Sequence, residues 1–237
     1  HNLTKLVSEG FTRGFYYKPR VDYDLLRRYS KGLIALSACI SGELPQLLLN
    51  GRREAARESV KKHLEIFGEG NYFIEIQDHG LAEQKQVLPE LVALSREMGV
   101  PLVATNDCHY LTAQDARAQE VLMCIQTGKT LSDENRMRME TDQLYVKSEE
   151  EMRRVFPAFP EAIENTQKIA ERCRVDFDFH TLHLPKYPLP EGQDAFETLR
   201  ALCEEGLKER YPQDNAQARE RLEYELDVIR SMGYVDY

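Results

Sequence analysis

An α/β fold with a parallel sheet, continuing into a helical segment, is what the sequence predicts. Two patterns point to it. Three short runs, at 33–39, 72–77 and 102–107, have the length and the apolar, partly β-branched or aromatic content of strands. Between them lie stretches with apolar residues at helical spacing, each closed by a glycine. Strands alternating with helices make βαβ units, in a sheet that is open or closed into a barrel.

The first run, Leu33-Ile34-Ala35-Leu36-Ser37-Ala38-Cys39, reads as a buried strand. A helix from about Arg52 to Phe67 follows, with Ala55, Val60, Leu64 and Phe67 on its apolar face and Gly68 as its stop. The second strand is Tyr72-Phe73-Ile74-Glu75-Ile76-Gln77. Its following helix, near 82–98, gathers Val87, Leu91, Leu94 and Met98 on one face and stops at Gly99. The third strand, Leu102 to Asp107, leads into a helix near 113–126, capped by Thr112 with Asp115 reaching back. Beyond about residue 130 the pattern is helical and less regular. Ser148-Glu149-Glu150-Glu151 has the form of a capping box, and another helix covers about 160–173. Phe177 to Gly192 holds prolines at 185, 188 and 190 and marks a domain boundary. Two amphipathic helices follow, near 195–210 and 215–232. The expected organisation is a first domain over 1–180, a linker over 181–192 and a truncated second domain over 193–237.

Composition narrows the function classes. At 237 residues the chain can bury a substantial core, and 42% hydrophobic with 30% charged residues suits a globular protein. No apolar run approaches the roughly 20 residues of a membrane span. His1-Asn2-Leu3-Thr4 is not the start of a signal peptide, and the chain reads as a piece of something longer. Five scattered cysteines fit a reducing compartment better than a disulfide framework. The formal charge of −9 leaves no overall basic surface, so any contact with nucleic acid must be local.

The chemistry is expected at the strand ends. Side chains two apart on a strand share a face, which groups Leu33, Ala35, Ser37 and Cys39, then Glu75, Gln77 and His79, then Val103, Thr105, Asp107 and His109. Each set ends in a potential metal ligand. Parallel α/β architectures place their sites at strand C-termini, so Cys39, His79, Asp107 and His109 are the candidate metal ligands. A carboxylate and an imidazole two residues apart suit a divalent ion, and a thiolate favours zinc over magnesium. Singly, each has an ordinary alternative. A cysteine in an apolar strand is a small core residue, and a histidine after a strand is a turn residue. Gly14-Phe15-Tyr16-Tyr17-Lys18-Pro19-Arg20 mixes aromatics with cations. Lys18 and Arg20, and further on Arg136 and Arg138, are candidate nucleic-acid contacts, set against the plainer reading of a packed loop and solvated arginines. A Gly-rich phosphate loop, a Ser-His-Asp set and a Cys-x-x-Cys pair are all missing from the sequence.

Several segments resemble the PHP region of the bacterial DNA polymerase III alpha subunits, the C-family replicative polymerases. They are Asn2-Leu3-Thr4-Lys5-Leu6-Val7-Ser8, Gly14 to Arg20, Gly32 to Cys39, Val103-Ala104-Thr105-Asn106-Asp107-Cys108-His109-Tyr110, Tyr145 to Met152, Ile169 to Cys173, and Met232 to Tyr237. The likeness runs along essentially the whole chain. It implies a distorted (β/α) barrel with a multinuclear metal site at its C-terminal mouth, here without the opening strands and their ligands. Cys39, His79, Asp107 and His109 fall where the resemblance places the later ligands.

The resemblance also implies zinc or manganese at that site and phosphoesterase-like chemistry with 3′–5′ exonuclease activity when the site is complete. Magnesium would serve a polymerase site whose aspartates lie beyond Tyr237. The implied partners are DNA, the sliding clamp and other replicase subunits, and the proofreading exonuclease subunit, in a bacterial cytoplasm with no membrane. Two other functions stay open: a non-catalytic docking domain and a free-standing PHP phosphatase.

Overall fold

The computed structural model describes every residue except Leu182 and Asp214. It divides into two compact units, His1–Arg174 and Val175–Tyr237.

The first unit opens with helices α1 (Asn2–Thr12) and α2 (Tyr23–Tyr29), the latter capped by Asp22, whose carboxylate accepts the Leu25 N–H at 2.8 Å. Strand β1 (Ala35–Leu36) then leads through α3 (Glu43–Leu49) and α4 (Arg53–Phe67) to β2 (Tyr72–Ile76). Helix α5 (Ala82–Met98) carries the chain on to β3 (Leu102–Ala104). The strands pair in the order β1-β2-β3, all parallel, with Ala35 opposite Tyr72 and Ile74 opposite Leu102. Parallel neighbours need a crossover, and these helices supply it. A 3-10 turn at Ala113–Asp115, α6 (Ala116–Thr127), α7 (Glu149–Val155) and α8 (Pro160–Arg172) complete the unit.

The core lies around β2, all five of whose residues are buried. Ile74 and Ile76 meet Val87, Leu91 and Leu94 of α5, Leu44 of α3, Val60 of α4 and Ile163 of α8 in one cluster. Helix α8 also tends the sheet edge. The Asn165 side-chain amide donates to the Leu102 carbonyl at 2.7 Å, satisfying a group that an edge strand leaves open. Helix α5 ends as its sequence demands: Gly99 takes φ +66, and its N–H returns to Ser95 O. Both expected capping boxes form, at Thr112 with Asp115 and at Ser148 with Glu151.

Three expectations need correction. The first strand is short: its last ladder bond runs from Ser37 N–H to Phe73 O, and Ala38 then turns to φ +69. Cys39 therefore lies in a turn, beyond the reach of strand alternation. The third strand likewise ends early, after the Thr105 N–H bond to Ile76 O. On α4 the fully buried residues are Ala56, Ser59, Val60 and Ile66, whereas Ala55, Leu64 and Phe67 are half-buried. That face is turned because α4 packs heavily on α3, an element not read from the sequence. The described strands form one three-stranded parallel sheet, as the alternation of strands and helices predicts.

Among its described residues the second unit has no helix or strand before α9 (Ala195–Arg210). Helix α10 (Ala216–Ser231) follows. Asp194 and Asn215 cap these helices through the Glu197 and Ala218 N–H groups. Phe196 and Leu226 are its buried apolar residues among those described, with Arg230 lying 4.5 Å over the Phe196 ring. Among the described residues no helix is long and apolar enough to cross a membrane.

Candidate functional site

Polar side chains gather where β2 and β3 end. Glu75, Gln77 and Thr105 share a face, as strand alternation requires: Gln77 Nε2 lies 3.1 Å from Glu75 Oε1 and 3.0 Å from Thr105 Oγ1. The Thr105 hydroxyl also donates to Glu75. Across the sheet the Ser37 hydroxyl accepts the Glu75 N–H at 2.8 Å.

His79 follows β2 and is 3% exposed. Its backbone N–H donates to Gln84 Oε1 at 2.7 Å, which fixes the direction of the Gln84 amide. Gln84 Nε2, 2.9 Å from His79 Nδ1, is then the donor, so Nδ1 accepts. Nε2 lies 3.1 Å from Asn106 Oδ1 and 3.3 Å from the backbone N–H of Asp107. Burial pushes the His79 pKa below its ordinary value, with Lys147 adding to that and the Asn106 bond, Asp107 and Asp78 opposing it.

Asn106 is the hub of the loop after β3. Its Oδ1 is 3.3 Å from Lys147 Nζ, its Nδ2 bonds the Tyr145 carbonyl, and Cys108 Sγ is 3.3 Å away. Lys147 is held over the Tyr145 ring at 4.1 Å, and burial lowers its pKa. Beyond the hub, Asp107 Oδ2 faces His109 Nε2 at 3.3 Å, with the two side chains 50% and 33% exposed. The His109 N–H is anchored on Leu144 O at 2.8 Å. Cys39 is half-buried and lines a small pocket with Glu75, Gln77 and Gln84.

Of the four candidate ligands, then, Asp107 and His109 meet each other, His79 touches Gln84, Asn106 and the Asp107 N–H, and Cys39 shares a small pocket with Glu75, Gln77 and Gln84. Among the described residues no three His, Cys, Asp or Glu side chains are arranged to hold a metal ion.

Beside His79 opens a cleft of about 630 Å³, lined by Tyr110, Arg117, Glu120, Thr141 and Asp142 among others. The side chain of Arg136 is 5% exposed and turned inward onto Glu120 at 3.1 Å, which removes it from the surface. Arg138, Lys18 and Arg20 are exposed. Gln84, Asn106, Tyr145 and Lys147 were not legible as site residues. Asn106 stood beside Asp107 in the strand-end motif, and Tyr145 and Lys147 lay in a segment that carries the resemblance, but no spacing rule tied them to the site.

Comparison with known proteins bears on this geometry. The model of the PHP domain matches residues 1–79, and that of the bacterial DNA polymerase III alpha NTPase domain matches residues 197–237. The DNA polymerase III subunit alpha of Treponema pallidum is 46% identical over 237 residues, all of this chain and 20% of that protein. That of Borreliella burgdorferi is 46% identical over 239 residues, covering 100% of the chain and 21% of the relative. That of Thermus aquaticus is 43% identical over 238 residues, covering 98% and 19%. The chain thus spans about one fifth of the length of the curated relatives it matches.

Proposed function

We propose, from this chain's membership of the DNA polymerase III alpha-subunit family, that it forms part of a bacterial replicative DNA-directed DNA polymerase. The observation that carries this reading is similarity along the whole chain to alpha subunits, 46% in the first two relatives, with family-model matches in both units. In the whole protein the activity is nucleotide addition, with magnesium at a site outside these residues. Its partners are DNA, the sliding clamp and the proofreading exonuclease subunit, in the cytoplasm. Residues 1–180 are the PHP region, and 193–237 the first helices of the polymerase core.

For the PHP region itself we propose a divalent-metal site, for zinc or manganese, to which Asp107 and His109 contribute and which the rest of the longer protein completes in a distorted barrel. Cys39 is the third contributor. His79 is the fourth, its Nε2 beside Asn106 Oδ1 and the Asp107 N–H. When complete, the site would act on DNA 3′ ends. A docking role without metal is the second reading, and the specific observation in its favour is that among the described residues no three donors converge.

Elemental analysis of the full-length protein tests the choice. Stoichiometric zinc or manganese that falls in Asp107→Ala and in His109→Ala, with primer extension retained, is the expected result. Absence of bound metal in the unaltered protein, even after reconstitution, would leave the docking role.

A further inference from the structure

The loop between α1 and α2 is built in a way that the strand-end site does not explain. The Gly14 N–H bonds Glu9 O at 3.0 Å, the Arg20 N–H bonds Gly14 O at 3.2 Å, and the Tyr16 N–H bonds Lys18 O at 3.1 Å. A Cβ at position 14 would lie 2.0 Å from Arg20 O, so glycine is required to close the loop. At its tip Tyr17 adopts φ +60, a conformation that costs a residue bearing a Cβ and persists where the surroundings impose it.

What the closed loop displays is aromatic. Tyr17 is 82% exposed, Tyr16 63% and Phe15 58%. The Tyr16 ring sits edge-on to Tyr17 at 4.6 Å and carries the Arg20 guanidinium at 5.1 Å. Between Gly10 and Val21 the chain has three cations, Arg13, Lys18 and Arg20, and no carboxylate. Arg13 leans on Glu9 at 3.4 Å, whereas Lys18 and Arg20 are exposed. In a chain of net charge −9 this is a local basic stretch joined to open ring faces.

We propose that this loop is a stacking platform for single-stranded nucleic acid. Tyr17 and Phe15 offer faces to unpaired bases, and Lys18 and Arg20 meet the flanking phosphates. Stacking requires base faces that a duplex keeps covered, so the preference is for a single strand, with little dependence on its sequence. Arg20 also reinforces Tyr16 as a cation against its ring. The polymerase reading contributes one point, that the strand is DNA; the chemistry of the loop stands without it.

The test uses the full-length protein, cross-linked by ultraviolet light to an oligothymidylate containing iododeoxyuridine, with the attached peptides mapped. The expected result is a cross-link within residues 14–20 that single strands compete away and duplex does not. It falls about tenfold in Tyr17→Asn, because asparagine accepts the left-handed conformation and keeps the loop's shape while removing the ring. It persists in Tyr17→Phe. Replacing Lys18 and Arg20 together by glutamine weakens binding and flattens its salt dependence. Cross-links confined to other segments, or one unchanged in Tyr17→Asn, overturn the proposal. So does a loop shielded by a protein subunit. Primer extension run on the same sample separates the two readings: extension without the cross-link removes the platform alone, and a cross-link without extension removes the polymerase reading alone.

Discussion

Glu43 and Asp107 are both carboxylates near a histidine in the same unit, but their surroundings differ in kind. Glu43 Oε2 accepts the Tyr23 hydroxyl at 2.7 Å and the Ser59 hydroxyl at 3.0 Å. His63 Nδ1 donates to Ser59 O at 2.7 Å, and its ring stacks on Tyr72 at 5.0 Å. The groups of this network satisfy one another and tie α2, α3 and α4 to β2. Asp107 is exposed as Glu43 is, but what its carboxylate faces is His109 Nε2 at 3.3 Å. Carboxylates saturated by hydroxyls hold a fold together; a carboxylate left open beside an imidazole is available to something else. The comparison assigns structure to one network and chemistry to the other.

The strongest way to break it is at Tyr72, which is 1% exposed and forms the wall behind His63. Tyr72→Ala should cost about 3–5 kcal/mol in urea unfolding, as loss of a buried aromatic does. A loss below about 1 kcal/mol would mean that the Glu43 side of the sheet is not where stability resides.

Gln84→Leu comes next. It leaves the His79 N–H and Nδ1 without partners in a buried site, a loss of about 1–3 kcal/mol. Because His79 holds Asn106, the same variant should loosen the Asp107 loop, readable as faster amide exchange at Asn106–His109.

Glu43→Gln is milder, about 1 kcal/mol after allowing for its contact with solvent. Its sharper signature is in the pH dependence. Burial alone would raise the Glu43 pKa. The bonds from Tyr23 and Ser59, with the charges of His63 and Lys62, nevertheless hold it below the ordinary carboxylate value. A depressed folded pKa contributes stability that is present above the unfolded value and lost as pH falls through the folded one. Glu43→Gln should therefore flatten the acid limb. On the alkaline side, burial, the Glu43 bond and the Glu43 charge push Tyr23 up to about 12. That contribution is full below pH 10 and lost as pH rises toward 12, and Tyr23→Phe should remove it.

Asp107→Asn should have the smallest effect on stability, within about 0.5 kcal/mol, because its carboxylate supports no other element. Its effect should appear in metal binding instead.

Much of this was legible in the sequence, and the failures have physical causes. Helices α4, α5, α8, α9 and α10 announce themselves by apolar spacing; Gly68 and Gly99 mark the ends of α4 and α5. The capping boxes at Thr112 and Ser148 are local, and local rules find them. Helices α2 and α3, seven residues each, are too short for a period to show, and their packing on α4 turned its buried face. At the site, alternation correctly grouped Glu75 with Gln77, which the structure joins to Thr105 of the next strand. It failed at Cys39 because Ala38 breaks the strand with a positive φ. His79 read as a ligand from its place after a strand, and its bond to the Gln84 amide five residues on is one that no spacing rule anticipates.

The most direct test sets Asp107→Asn beside Glu43→Gln in the full-length protein, with metal content and amide exchange of β2 and α4 read on the same samples. The account predicts that Asp107→Asn loses bound metal with unchanged protection, and that Glu43→Gln keeps its metal but loses protection. Protection lost in Asp107→Asn with metal retained would contradict it.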